Sequence, residues 1–96
     1  QDPYHLPEVA DGLAFSTQKP NYIPASLKNI FLELSHDLNC PVPTQGDLLP
    51  WVKEGVFLLN TALTVQENRP LSHAGFWPEF TYSLICFLRD YNPQLV

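Results

Sequence analysis

Ninety-six residues, 45% of them hydrophobic, fit one small globular domain and exclude a disordered chain. A net charge of −5, with only Lys19, Lys28, Lys53, Arg69 and Arg89 as cations, is a poor footprint for broad contact with nucleic-acid phosphates. The longest apolar run, Leu84–Leu88, is far short of the ~20 residues that span a bilayer, and no leader-like pattern opens the sequence, so no membrane association is expected.

Residues 1–25 read as a proline-rich loop with Gly12 as a turn residue. Ser26 is a candidate N-cap, and Leu27, Ile30, Phe31, Leu34 and Leu38 then recur at helical spacing on one face. After a second loop, from Asn39 to Gly46, Asp47 can cap a short helix through Trp51 and Lys53 that Gly55 ends. Val56–Leu59 is continuously apolar and suits a strand buried on both faces. Between Gly75 and Tyr91, Trp77, Phe80, Leu84, Phe87, Leu88 and Tyr91 form a helical stripe, with Pro78 tolerated in the first turn. Asn92-Pro93 stops that helix, and Gln94-Leu95-Val96 opens another apolar run. Helix, strand and helix in this order predict an α/β layer built on a parallel sheet. Cys40 and Cys86 lack CxxC spacing; two reduced thiols in a cytosolic-type protein are expected, with a disulfide as the alternative.

Four short segments carry the chemistry: Gln1-Asp2-Pro3-Tyr4-His5, Gly12-Leu13-Ala14-Phe15-Ser16, Leu58-Leu59-Asn60-Thr61 and Leu63-Thr64-Val65. Taken singly, each has a plain structural reading. Asp2 before a proline is a common turn, Tyr4 and Phe15 are ordinary core aromatics, and Asn60 can simply end a strand. Asp2 and His5 together are two candidate ligands, too few for a metal site, and no metal is expected.

In this order and spacing, the segments resemble the family 1 uracil-DNA glycosylases. The resemblance covers all of the chain but only the central part of the family domain. A first strand, a strand after Val96, a Gly-Ser phosphate loop and a His-Pro-Ser-Pro segment are expected to lie outside it. It implies an α/β fold with a central parallel sheet flanked by helices, only part of it within residues 1–96. It also implies a cofactor-free repair enzyme that hydrolyses the glycosidic bond of flipped-out uracil. Asp2 would be the catalytic carboxylate, with His5 beside the attacking water. Gln1, Tyr4, Phe15 and Asn60 would bind the base: Tyr4 walls off C5 against thymine, Phe15 stacks, and Asn60 reads the uracil edge. Ser26 would touch the DNA backbone, a role that helix capping does not preclude. His73, in Ser72-His73-Ala74-Gly75-Phe76-Trp77, takes a structural role only. The implied partner is uracil-containing DNA, single- or double-stranded, bound by a monomer in the cytoplasm, or in the nucleus or mitochondrion of a eukaryote. Competing readings are a uracil-binding module or inactive fragment that does not cleave, and an acidic interaction domain.

Overall fold

Three helices form where the apolar spacing predicts them. In the computed structural model, which describes residues 1–96, α1 spans Ala25–Leu38, α2 Leu49–Lys53 and α3 Pro78–Tyr91. On α1, Leu27 and Phe31 are fully buried one turn apart, and Ile30 and Leu34 are half-buried, so the stripe faces inward. Asn39 ends α1 at φ 51°, a left-handed conformation that asparagine tolerates. The N-terminus of α1 corrects the capping expectation. Pro24 holds the N-cap position with no side-chain cap, and Ser26 lies inside the first turn. The fixed φ of Pro24 sets the start of the helix two residues early, so the Ser26 hydroxyl is not used up on the helix end.

The capping expectation for α2 is corrected as well. Leu48 holds the N-cap with no side-chain cap, and the Asp47 carboxylate accepts the Leu49 N–H at 2.9 Å in a turn just ahead of the helix, while Gly55 at φ 96° turns the chain away at its other end. Pro78 opens α3 at a position where its missing N–H has no intrahelical partner to lose, and Asn92 closes it.

Leu27, Phe31 and Leu48 make the fully buried core, with Phe15, Ile23, Ile30, Trp51 and Leu58 packed around them. The rings of Phe31 and Trp51 meet edge to face at 6.1 Å. This core joins α1 and α2 to the Phe15 loop and to the extended segment after Gly55.

That extended segment departs from the sheet expectation. Residues 56–60 run without helical structure but belong to no strand, and the only β-bridge in the molecule is Gln66 with Arg69. A ladder needs repeated pairing along a neighbour. Here each flank supplies one hydrogen bond: Ala14 N–H to the Leu58 carbonyl at 3.2 Å, and Phe57 N–H to the Val96 carbonyl at 2.6 Å. Apolar character predicted burial of Val56–Leu59, and Leu58 does reach the core, but the parallel sheet itself is not formed by residues 1–96.

The result is thin. The molecule measures 37 × 36 × 19 Å with a radius of gyration of 14.4 Å, above the ~12–13 Å usual at this length. On α3 only Thr81 is fully buried; Leu84 and Leu88 are half-buried, while Phe80, Phe87 and Tyr91 are exposed. Phe57, Leu59, Ile85, Leu95 and Val96 line an open apolar groove beside the end of α3.

Gly46 is the tightest backbone approach. A Cβ there would stand 2.7 Å from Thr17 Cγ2 and 3.3 Å from the Thr17 and Tyr22 carbonyl oxygens. Thr17 is buried, and its N–H donates to the Gly46 carbonyl at 3.0 Å, so neither side can retreat cheaply. Gly46→Ala is expected to destabilise the protein by about 1–3 kcal/mol, read as a lowered urea midpoint. An unchanged midpoint would show that this loop relaxes freely.

Candidate active site

Three loops, rather than helices, build the site. The first is the turn around Asp2. Both Ala62 N–H, at 3.1 Å, and Thr61 Oγ1–H, at 2.8 Å, donate to the Gln1 carbonyl, tying residue 1 to the segment just after Asn60. The second is the Gly12–Ser16 turn, organised by Asp11. Its carboxylate accepts Leu13 N–H at 3.1 Å and Ser16 Oγ–H at 2.6 Å, and the buried Ser16 Oγ in turn accepts Leu48 N–H at 2.9 Å. This relay locks the turn to the core and holds Phe15 at φ 67°, a left-handed conformation uncommon outside glycine. Gly12, at φ 96°, meets the same demand without a Cβ clash. The third loop follows the extended segment and begins with Asn60.

The loops close on a small pocket of about 50 Å³, well under the ~300–1,000 Å³ of typical small-molecule sites. Gln1, Asp2, Tyr4, Phe15 and Asn60 all line it. Asn60 is 8% exposed, and its Oδ1 is buried with no hydrogen-bond partner. Such an orphaned acceptor costs about 1–3 kcal/mol of desolvation unless something donates to it. Asp2 is half-buried; one carboxylate oxygen accepts the Leu71 N–H at 2.7 Å and the other makes no hydrogen bond.

Tyr4 is clamped by its hydroxyl, which donates to the Phe15 carbonyl at 2.7 Å. A phenol has one proton to give, so at the 3.3 Å contact with Ser26 the serine hydroxyl is the donor. Burial pushes the Tyr4 phenol above its ordinary 10.0, the Ser26 hydrogen bond pulls it back in part, and nearby Tyr22 and Asp11 raise it. The phenol therefore stays protonated and the clamp intact at neutral pH. With the folded-state value above the unfolded one, its contribution to stability is complete below pH 10.0 and is lost as pH rises through the raised value.

No family model matches the chain. Individual relatives do. The chain is 50% identical over 97 aligned positions to the uracil-DNA glycosylase of Acinetobacter baylyi, and 50% identical to that of Campylobacter lari. It is 57% identical to uracil-DNA glycosylase 2 of Listeria innocua. In each comparison, all of this chain is aligned. Along its whole length the chain is homologous to uracil-DNA glycosylases. It spans about two fifths of their length, 41% to 43%.

Of the residues that the glycosylase resemblance singles out, the pocket gathers five, drawn from Gln1 to Asn60. Two others stand outside its lining. His5 is half-buried with an unpartnered Nδ1, and its carbonyl accepts Asn68 N–H at 3.0 Å. Ser26 is exposed on α1, one hydroxyl away from Tyr4. Ala10, Gly12, Leu13 and Leu63 also line the wall. Gly12, Leu13 and Leu63 belong to the motif segments and Ala10 lies outside them, but small and aliphatic residues carry no chemical signature that would assign them to the wall. No group of three or more His, Cys, Asp and Glu side chains is placed to hold a metal ion.

Proposed function

We propose that this pocket receives a uracil base turned out of DNA, and that the whole protein hydrolyses its glycosidic bond. The observation that carries the reading is the convergence of Gln1, Asp2, Tyr4, Phe15 and Asn60 on one pocket, with the Asn60 Oδ1 buried and unpartnered. Uracil presents an N3–H donor beside an O4 acceptor. The free Oδ1 accepts the first, and the Asn60 NH2 donates to the second. Cytosine presents the reverse pattern, an acceptor at N3 and a donor at C4, and would leave both groups mispaired. Tyr4, held to the Phe15 carbonyl, is a rigid wall against the C5 methyl of thymine. Phe15 offers a ring for stacking, worth roughly 1–3 kcal/mol per base and indifferent to which base it is.

Asp2 is the group for the bond-breaking step. As C1′–N1 lengthens, positive charge grows on the sugar and negative charge on the base. A carboxylate facing C1′ stabilises the first and orients the water that attacks it. The C1′–N1 bond breaks and the base leaves with the N1 electron pair, while the water oxygen bonds to C1′ and gives up its proton to the Asp2 carboxylate. His5 is assigned to the vicinity of that water. The exposed Ser26 hydroxyl, in the first turn of α1, is assigned to a DNA phosphate. Few cations are needed, because the affinity is concentrated on the extruded base.

The test is base release by the whole protein from oligonucleotides carrying a single uracil, cytosine or thymine. Asn60→Asp is expected to weaken uracil release and admit some cytosine release, since a protonated carboxyl can donate to cytosine N3 while its other oxygen accepts from the amino group. Tyr4→Ala is expected to admit thymine. Binding without release in the unsubstituted protein would favour a uracil-binding module instead. Unchanged selectivity in both variants would mean that other residues read the base.

A further inference from the structure

We propose that Thr64, His73 and Trp77 form a clasp that positions the Asp2 carboxylate through the backbone N–H of Leu71. The proposal rests on the reading of Asp2 as the carboxylate of the reaction.

Leu71 is an odd residue to find at this contact. Its φ of 64° is left-handed, where a leucine side chain is strained, and that side chain is 65% exposed. Burial therefore does not hold it in place. Its N–H nonetheless meets an Asp2 oxygen at 2.7 Å, across 69 positions of sequence. Strain of this kind persists only where the surroundings over-determine the backbone, and here the surroundings are hydrogen bonds. Within the loop, Gln66 N–H donates to Ser72 Oγ at 2.8 Å and Arg69 N–H to the Gln66 carbonyl at 3.0 Å. Asn68 N–H reaches back to the His5 carbonyl at 3.0 Å, so the loop is docked on the Asp2–His5 turn.

The two ends of the loop are joined at Thr64. Its Oγ1 accepts the Trp77 indole N–H at 2.7 Å and lies 2.8 Å from His73 Nδ1. One hydroxyl thus gathers the residue before the loop, a residue late in it and the N-cap residue of α3. With both ends fixed, the strained turn between them keeps its N–H on Asp2. That contact fixes the rotation of the carboxylate and leaves its second oxygen free for the reacting water and sugar. A carboxylate without this donor samples other orientations, and small misplacements of a reacting group are costly in rate.

The experiment uses the whole protein. Thr64→Val keeps the shape of residue 64 but removes both clasp contacts, and His73→Leu removes one. Both are expected to lower kcat for uracil release by about ten- to a hundredfold, with KM unchanged within about twofold because the base pocket is untouched. His73→Asn puts an amide where Nδ1 stands and is expected to restore most of kcat. Unchanged kcat in Thr64→Val and His73→Leu would overturn the clasp, as would an equal fall in His73→Asn and His73→Leu. Hydrogen exchange at the Leu71 amide in the unsubstituted protein gives a readout that no variant's folding can obscure. Protection is expected, and exchange at the rate of a free loop would overturn the proposal. Failure of the underlying reading looks different: Asp2→Asn would retain uracil release while Leu71 stayed protected.

Discussion

Asp2→Asn in the whole protein is expected to slow uracil release by about two to four orders of magnitude, the range for a positioned acid or base, while uracil-DNA binding changes little. The local geometry makes the substitution harsher than a loss of charge. In the native site Leu71 N–H donates to one Asp2 oxygen at 2.7 Å, and the other oxygen is free. An asparagine side chain has only one oxygen. If Leu71 keeps its hydrogen bond, the amide oxygen of the variant is committed there and the amide NH2 occupies the free position. A partly positive donor then stands where a negative acceptor should steady a growing cation and orient water. The volume is unchanged, so the base pocket still fills. Single-turnover release and equilibrium binding on the same uracil oligonucleotide separate the two effects. Turnover within a factor of a few of the unsubstituted protein would return Asp2 to the status of a turn residue.

Prepared alone, the polypeptide of residues 1–96 is expected to bind apolar dyes strongly, to melt without a sharp transition and to release almost no uracil. The fully buried hydrophobic cluster holds only Leu27, Phe31 and Leu48. Against it stand large apolar side chains in water, among them Phe76 at 78%, Phe87 at 64% and Val96 at 77% exposure. Residues 56–60 add apolar backbone with one hydrogen bond on each flank in place of a ladder. Since whole domains are stable by only ~5–15 kcal/mol, so thin a core leaves little margin over chain entropy. The pocket suffers most, because its three loops converge only while that core holds them. A cooperative thermal transition accompanied by ready uracil release would overturn this expectation.

Much of the local structure was legible in the sequence because it depends on near neighbours. The 3–4 spacing from Leu27 to Leu38 marked α1, Asn92-Pro93 marked the end of α3, and Gly12 and Gly55 stand at the turn and helix end expected of them, both at positive φ. The residues that gather at the pocket, Gln1, Asp2, Tyr4, Phe15 and Asn60, were legible as an ordered set of motifs. Pairing was not. An apolar run such as Val56–Leu59 records that a segment prefers to be out of water, and says nothing of which backbone lies alongside; only the tertiary structure decided that no ladder forms there. It also decided the start of α1, where the fixed φ of Pro24 outweighed the capping preference of Ser26. Above all it decided the contact between Asp2 and Leu71 and the clasp of Thr64, His73 and Trp77. The first is made by a backbone N–H, which every residue except proline carries. The second joins three side chains whose bonding depends on how a loop folds back, and such contacts leave no trace in residue type or spacing.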